Sequence, residues 1–323
     1  MSSITDVAGI EVGHHTETRR PTGCTVVLAR EGAVGGVDVR GAAPGTRETD
    51  LLAPANLVDR VHAIMLAGGS AWGLDAASGA MKWLDENGIG LQVAVARVPI
   101  VPAAVVFDLY FGDAKVRPDA SAGYAACLAA SAEPPAQGNV GAGTGAMVGK
   151  IFGFDKGMKG GIGTASVRAN GVTVGALVVC NALGDVIDPA TGRIIAGARQ
   201  ADGRLLDQRA ALLAGMPHQR IVPGSNTTIG VIATDAELTK AEAMRLATVG
   251  HDGLARCINP AHTVFDGDTL FTLATGRAGR TLDMMRLATM AAEAVTLAVL
   301  NGVRAATALS FDKLYLPAAN DLP

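Results

Sequence analysis

The sequence predicts an α+β protein. Short apolar runs with β-branched centres alternate irregularly with segments of helical spacing, so no regular βαβα rhythm of a doubly wound sheet appears. The 323 residues are 49% apolar yet only 4% aromatic. Small residues replace the missing bulk, with 41 Gly against the ~7% usual in proteins. Such a chain is too apolar for intrinsic disorder and suits closely stacked layers.

The elements follow in order. Cys24–Ala29 and Val61–Leu66 read as buried strands. The turn-rich AGGSAWG at 67–73 leads into Leu74–Asn87, whose Leu74, Ala77, Met81 and Leu84 share a helical face that Gly88 ends. Pro118–Ala130 is a second helix, with Gly123 permitting close approach of a neighbour. A Gly-dense stretch, 139–163, holds GAGTGAMVGK. Gly171–Cys180 is strand-like and ends at Asn181. Asp188–Ser225 is a polar connector nearly 40 residues long, helical at most over Arg209–Ala214, and connectors of this length tend to be functional. Thr227–Thr234 restarts as a strand. Thr239 and Glu242 form a capping-box pattern for a helix over Lys240–Arg256. Asp266–Leu273 turns into another strand, and Leu282–Leu300 is the last helix, with Met285, Ala288, Ala292, Val295 and Val299 inward.

Composition excludes several functions. A net charge of −3 and a pI near 6.1 argue against general nucleic-acid binding. No uninterrupted apolar run reaches the ~20 residues a membrane span needs, since Glu293 interrupts 287–300. The start, MSSITDVAGIEVGHH, has neither a basic stretch nor an apolar core, so no secretion signal is expected. Cys24, Cys127, Cys180 and Cys257 lie far apart and read as buried free thiols of a reducing cytoplasm. No spacing suggests a metal or another cofactor.

Four familiar motifs fail. GAGTGAMVGK has Thr144 and Ile151 where a phosphate-binding loop needs Gly and a hydroxyl. GGSAWG has Trp72 where a nucleophile elbow needs Gly, so Ser70 reads as a turn residue. The adjacent His14 and His15 lack matching ligands at metal spacing, and Asn226-Thr-Thr is a glycosylation sequon without a secretion signal.

The segment GSNTTIGVIAT at 224–234 is the informative one. A loop ends at Asn226 and a hydroxyl residue, Thr227, opens a strand. Attack of the Thr227 hydroxyl on the Asn226 carbonyl, followed by hydrolysis of the ester, would make Thr227 a new N-terminus. Its α-amine, with an ordinary pKa of about 7.7–8.0, is a base near neutral pH. An ordinary Thr-rich loop-to-strand junction has the same local pattern.

Pieces spread along the chain supply the context. They are VAGIEVGHH (7–15), LAGGSAWGL (66–74), VPIVPAAVVFDL (98–109), RPDASAGYAA (117–126) and GAGTGAMVGK (141–150). VVCNALGDVID (178–188), GSNTTIGVIATDA (224–236) and PAHTVFDGDTLF (260–271) complete the series. Together and in order they resemble the L-aminopeptidase/D-esterase family, which includes β-peptidyl aminopeptidases and nylon-oligomer hydrolases. The resemblance implies two mixed sheets between helix layers, a four-layer αββα sandwich. It implies one domain, 1–323, that cuts itself into 1–226 and 227–323. It implies Thr227 as nucleophile and Lys150 beside it. Asn181 would be an amide donor to the oxyanion, and Asp266 and Asp268 an acidic pair positioning the nucleophile and its amine. The Asn-Thr junction and the Asp/Asp pair lean toward the nylon-hydrolase branch. Phe107 stands where several relatives carry Tyr, whose hydroxyl is a candidate second oxyanion donor.

The expected substrates are small peptides, amides with a free amine, or ω-amino-acid (6-aminohexanoate) oligomers. Partners are expected to be substrate and further copies of the chain, a tetramer by the resemblance, with no nucleic acid and no membrane. The rival expectations are an acyl transferase resembling ornithine acetyltransferases, and a non-catalytic oligomeric protein of the same fold.

Overall fold

A computed structural model describes residues 2–222, 224–311 and 314–322 of the chain. Pro223, at the end of the polar connector, lies outside the described residues.

The main strands are β1 (Glu11–Thr16), β2 (Gly23–Val39), β3 (Thr46–Arg47), β4 (Arg60–Ala67), β5 (Ala103–Val105), β6 (Gly161–Ala169) and β7 (Val172–Asn181). After them come β8 (Asp185–Asp188), β9 (Arg193–Ala196), β10 (Thr227–Thr234) and β11 (Thr269–Ala274). The helices are α1 (Ala76–Glu86), α2 (Ala120–Leu128), α3 (Gln208–Leu213), α4 (Lys240–Cys257) and α5 (Met284–Ala305). Among the described residues, nine strands join one mixed sheet in the order β6-β7-β10-β11-β2-β4-β5-β3, with β1 on β2. The α+β class therefore holds, with one large mixed sheet where two were expected, beside small sheets of two or three strands. The 17-residue β2 joins its halves. Its Cys24–Leu28 stretch pairs with β4, its register shifts between Leu28 and Ala33, and its Val34–Val39 stretch pairs with β11.

Strand alternation divides the interior into three cores. On β7, Val172, Val174, Ala176, Val178 and Cys180 pack with α4 and α5 residues such as Leu254, Val295 and Val299. Leu177 and Val179 point the other way, into a cluster with Val27, Ile64, Leu66 and Phe271. On β2 and β4, Cys24, Val26, Ala63 and Met65 meet Ala77, Leu84 and Ala126 of α1 and α2. Because both faces of these strands are covered, they read as continuous apolar runs rather than alternating ones. Each fully buried Val, Leu or Ile contributes roughly 1.5–3 kcal/mol.

The helix boundaries follow their caps. Asp119 accepts from the Ala122 N–H, so α2 begins after Pro118. Thr239 and Glu242 form the expected reciprocal cap of α4. Gly79 and Gly123 let α1 and α2 meet backbone to backbone, since a Cβ on either would come within 2 Å of the other helix's carbonyl oxygen. Asp283 caps α5, which runs five residues beyond the expected Leu300. At 22 residues α5 is long and apolar enough to cross a bilayer by length and composition, contrary to the run-length argument. Much of it is buried, with Leu287, Ala291, Ala294 and Ala298 packed on the sheet. Met285 is 83% exposed rather than inward, because it sits on the outer face of the first turn beyond the sheet.

The polar connector is more ordered than expected. Its start pairs as the β8–β9 hairpin, and α3 covers Gln208–Leu213. The buried Asp185 carboxylate ties it down by accepting from Ala198 N, Gln208 N and Gln208 Nε2 at 3.0, 2.9 and 2.6 Å. All four cysteines are buried and free.

Candidate active site

Four strand ends converge at one edge of the sheet. β7 ends at Asn181, which lies opposite Thr227 in the antiparallel register. β10 and β11 run parallel, so Thr227 and Asp268 sit at the same end. The residues after β2 return to this end, where Arg40 N donates to the Asp268 carbonyl at 3.0 Å and Ala43 N to the Asp266 carbonyl at 2.9 Å. Topology thus gathers residues as far apart as Arg40 and Asp268, 228 positions along the chain.

At the centre, the chain enters β10 through a buried Asn226–Thr227 junction. The Thr227 hydroxyl donates to the Asn226 carbonyl oxygen at 2.5 Å. The Gly267 N–H donates to the same oxygen at 2.9 Å. The Asn226 carbonyl therefore already carries two donors, one of them the neighbouring Thr227 hydroxyl. Gly267 has no room for a side chain: a Cβ would lie 2.6 Å from the Ala43 carbonyl oxygen and 3.0 Å from Thr227 Oγ1.

Lys150 is buried, and its Nζ donates to Asn181 O at 2.9 Å, Asn181 Oδ1 at 3.0 Å and Ser225 O at 3.3 Å. Burial pushes its pKa down to about 7, against the opposing charges of Asp266 and Asp268. Asn181 Oδ1 also accepts from Met147 N at 3.0 Å, which orients the amide and leaves its Nδ2 facing the Phe107 carbonyl at 3.5 Å. Phe107 and Thr227 both line a cavity of about 180 Å³ with Ala43, Pro44, Ser70 and Val106.

The two acids use consecutive N–H groups of one turn. Asp266 Oδ2 accepts from Thr263 N at 2.8 Å, and Asp268 Oδ2 accepts from His262 N at 3.2 Å. The other Asp268 oxygen accepts from Thr228 N at 2.6 Å, locking the acid to the start of β10. Burial and the nearby Asp268 charge hold the Asp266 carboxyl above the usual range.

All seven residues singled out from the sequence (Phe107, Lys150, Asn181, Asn226, Thr227, Asp266 and Asp268) thus meet at one place. Others went unremarked. His262 and Gly267 lie within PAHTVFDGDTLF, so a signal existed. Lys159, fully buried, donates from Nζ to Gly143 O, Ala146 O and Gly160 O within 3.0 Å and holds the Gly-dense stretch in shape. Asp108, next to Phe107, binds Arg20 Nη2 at 2.8 Å and Thr22 Oγ1 at 2.6 Å, with both members of the ion pair fully buried. Nothing local in the sequence marks that pair.

Comparison with known proteins gives this geometry a context. Residues 2–313 match the sequence profile of Peptidase family S58. An uncharacterized aminopeptidase of Mycobacterium tuberculosis (strain ATCC 25618 / H37Rv) is 49% identical over 290 residues, covering 85% of this chain and 82% of its own. A 6-aminohexanoate-oligomer endohydrolase of Kocuria sp. (strain KY2) is 34% identical over 276 residues, covering 84% and 74%. Among solved structures, a Burkholderia sp. beta-aminopeptidase superposes with a TM-score of 0.71 at 24% identity, over 98% of this chain and 90% of that one. An L-aminopeptidase D-Ala-esterase/amidase from Ochrobactrum anthropi, described as a variant of the Ntn hydrolase fold, gives 0.74 at 21% identity over 98% and 90%. These last two likenesses concern the fold.

Proposed function

Since the chain belongs to peptidase family S58 and so to a class of hydrolytic enzymes, we propose that it is a self-processing amide hydrolase whose nucleophile is Thr227. The observation that carries this reading is the pair of donors on the Asn226 carbonyl, Thr227 Oγ1 and Gly267 N. In the first step Thr227 Oγ1 attacks that carbonyl carbon and loses its proton. The oxygen becomes an oxyanion held by the Gly267 N–H. Lys150, whose pKa near 7 leaves much of it neutral at neutral pH, is the base for that proton. The C–N bond then breaks, the nitrogen of Thr227 takes a proton, and an ester joins Asn226 to Thr227 Oγ1. Water hydrolyses the ester, leaving Asn226 with a carboxylate and Thr227 with a free α-amine.

The same groups then serve a substrate. The α-amine takes the Thr227 hydroxyl proton, Thr227 forms an acyl-enzyme, and water releases the acid. Asn181 Nδ2 is the side-chain donor available to the oxyanion, because Phe107 has no hydroxyl. Asp266 and Asp268 position the amine, and they are the groups that would meet a substrate ammonium. The 180 Å³ cavity is below the ~300 Å³ at which ligand pockets usually begin, which suits a short peptide, an amino-acid amide or one end of an ω-amino-acid oligomer.

This reading extends to the architecture. The halves of the sheet, stacked through the central core and covered by α1–α2 and α4–α5, fit the four-layer arrangement. The two products, 1–226 and 227–323, would stay associated because β10 pairs with β7 and β11 with β2, both strands of the other product. We also expect homo-oligomers, which light scattering would detect.

Electrophoresis of the purified protein tests the proposal. Splitting the 32.7 kDa chain by residue share gives bands of about 23 and 10 kDa. N-terminal sequencing of the smaller should begin at Thr227, and Thr227→Ala should stay whole. A wild-type chain that remains whole after long incubation overturns the proposal.

A further inference from the structure

We infer that His262 is a positioning residue for the reaction, acting through Asp268; the inference rests on the proposed self-cleavage. His262 grips one Asp268 oxygen twice. Its ring Nδ1 lies 2.8 Å from Oδ2, and its backbone N donates to the same atom at 3.2 Å. Because the partner is a carboxylate, Nδ1 carries the proton and donates it. The other Asp268 oxygen accepts from Thr228 N at 2.6 Å. The carboxylate is thus a link between His262 and the residue that follows the nucleophile. Losing the imidazole leaves that end to the longer backbone N–H bond alone.

Two features show that this contact is enforced. His262 has a φ of +54°, a left-handed conformation that ordinary L residues avoid, and Asn is among the few that tolerate it. The backbone strain is held in place where it aims both His262 donors at one oxygen. The ring also packs edge-on against His251 of α4, with centroids 4.9 Å apart. His251 is itself fixed, with Nε2 3.0 Å from the Asp38 carbonyl oxygen of β2. The result is a stack from α4 through His251 and His262 to Asp268 and the nucleophile's strand.

The charges around His262 agree with a donor role. Asp268 faces it directly, Arg40 of the segment after β2 opposes its charge, and His251 packs beside it. Burial disfavours the imidazolium, but the hydrogen bond and charge of Asp268 outweigh burial and shift its pKa upward. Burial keeps His251 neutral, down to about 4, so it adds no positive charge. Asp266 adds a further negative charge beside Asp268, and Lys150 interacts electrostatically with both acids. A donor to Asp268 is therefore useful: it offsets the repulsion that would otherwise turn the two carboxylates apart.

The test uses the full chain made by cell-free translation and the rate at which it splits, followed on gels. Asn places its side-chain N–H near the histidine Nδ1 position and accepts the left-handed backbone. His262→Asn should therefore cleave within about threefold of wild type, whereas His262→Ala should be slower on the order of 10- to 100-fold, the usual penalty for a misplaced catalytic group. The double variant His262→Ala/Asp268→Asn should be no slower than Asp268→Asn alone, because both changes remove one link. Equal slowing in His262→Ala and His262→Asn, or additive losses in the double variant, would assign His262 a structural role only and overturn the inference. Wild-type speed in His262→Ala overturns it as well, with the proposed function intact. A wild-type chain that never splits overturns both.

Discussion

The Gly267 nitrogen lies 2.9 Å from the carbonyl oxygen of Asn226 and donates its N–H to it, although 41 positions of chain separate the two residues. In the proposed self-cleavage it is the donor that holds the oxyanion. Gly267→Ala should displace it, because the added carbon meets the Ala43 carbonyl at 2.6 Å. Removing an oxyanion donor costs about 100- to 1,000-fold in rate. Gel densitometry over time should show splitting slowed toward that range, with an unchanged circular dichroism spectrum.

Lys150 sets the pH dependence expected of self-cleavage. With its pKa pushed down to about 7, roughly nine-tenths of the amine is protonated at pH 6 and one-tenth at pH 8. A base must be neutral, so the rate should rise roughly tenfold across that interval. Lys150→Ala should flatten the rise and slow the reaction at least 100-fold. Lys150→Arg should not rescue it, since a guanidinium keeps its proton.

The ion pair of Arg20 and Asp108 supports the wall that carries Phe107. Both partners are fully buried, and Arg20 also donates to the Asp108, Phe111 and Val116 carbonyls. Asp108→Ala would strand a buried guanidinium, at a cost of about 3–5 kcal/mol. Thermal unfolding should register a large drop in Tm. Arg20→Met/Asp108→Leu should recover part of it, because a buried pair replaced by apolar groups loses no charge partner.

Asp185 fastens the connector. Its carboxylate takes three N–H donors from residues 198 and 208. Asp185→Ala should loosen 189–222, so that the backbone at the already exposed Arg193, Arg204 and Arg209 and at the half-buried Arg199 becomes cleavable by trypsin. Limited proteolysis should show cuts there well before wild type is cut, whereas unchanged protection would mean that the hairpin and α3 hold the connector unaided.

Much of this molecule was legible in one dimension. Strands and helices announced themselves through apolar runs, spacing and caps such as Thr239–Glu242, since these depend on residues a few positions apart. The Asn226–Thr227 junction could be named for the same reason, whereas the Asp266–Asp268 pair was named through the family resemblance. The acids' shared side was also foreseeable, because alternation is local. Less was legible about position in three dimensions. That α5 turns Met285 to solvent and not to the core depends on how the helix sits against the sheet.

The sequence by itself determined the α+β class, the cap-defined helices and the residue types that can cut an amide. The tertiary structure alone decided which of them meet. Register placed Asn181 opposite Thr227, and parallel pairing brought Asp268 to the same sheet end. Burial took Lys150 from an ordinary ammonium to a group near neutrality. Partners such as His262 on Asp268 and Gly267 on Asn226 are made by backbone direction and desolvation, and neither property is written in any short stretch of chain.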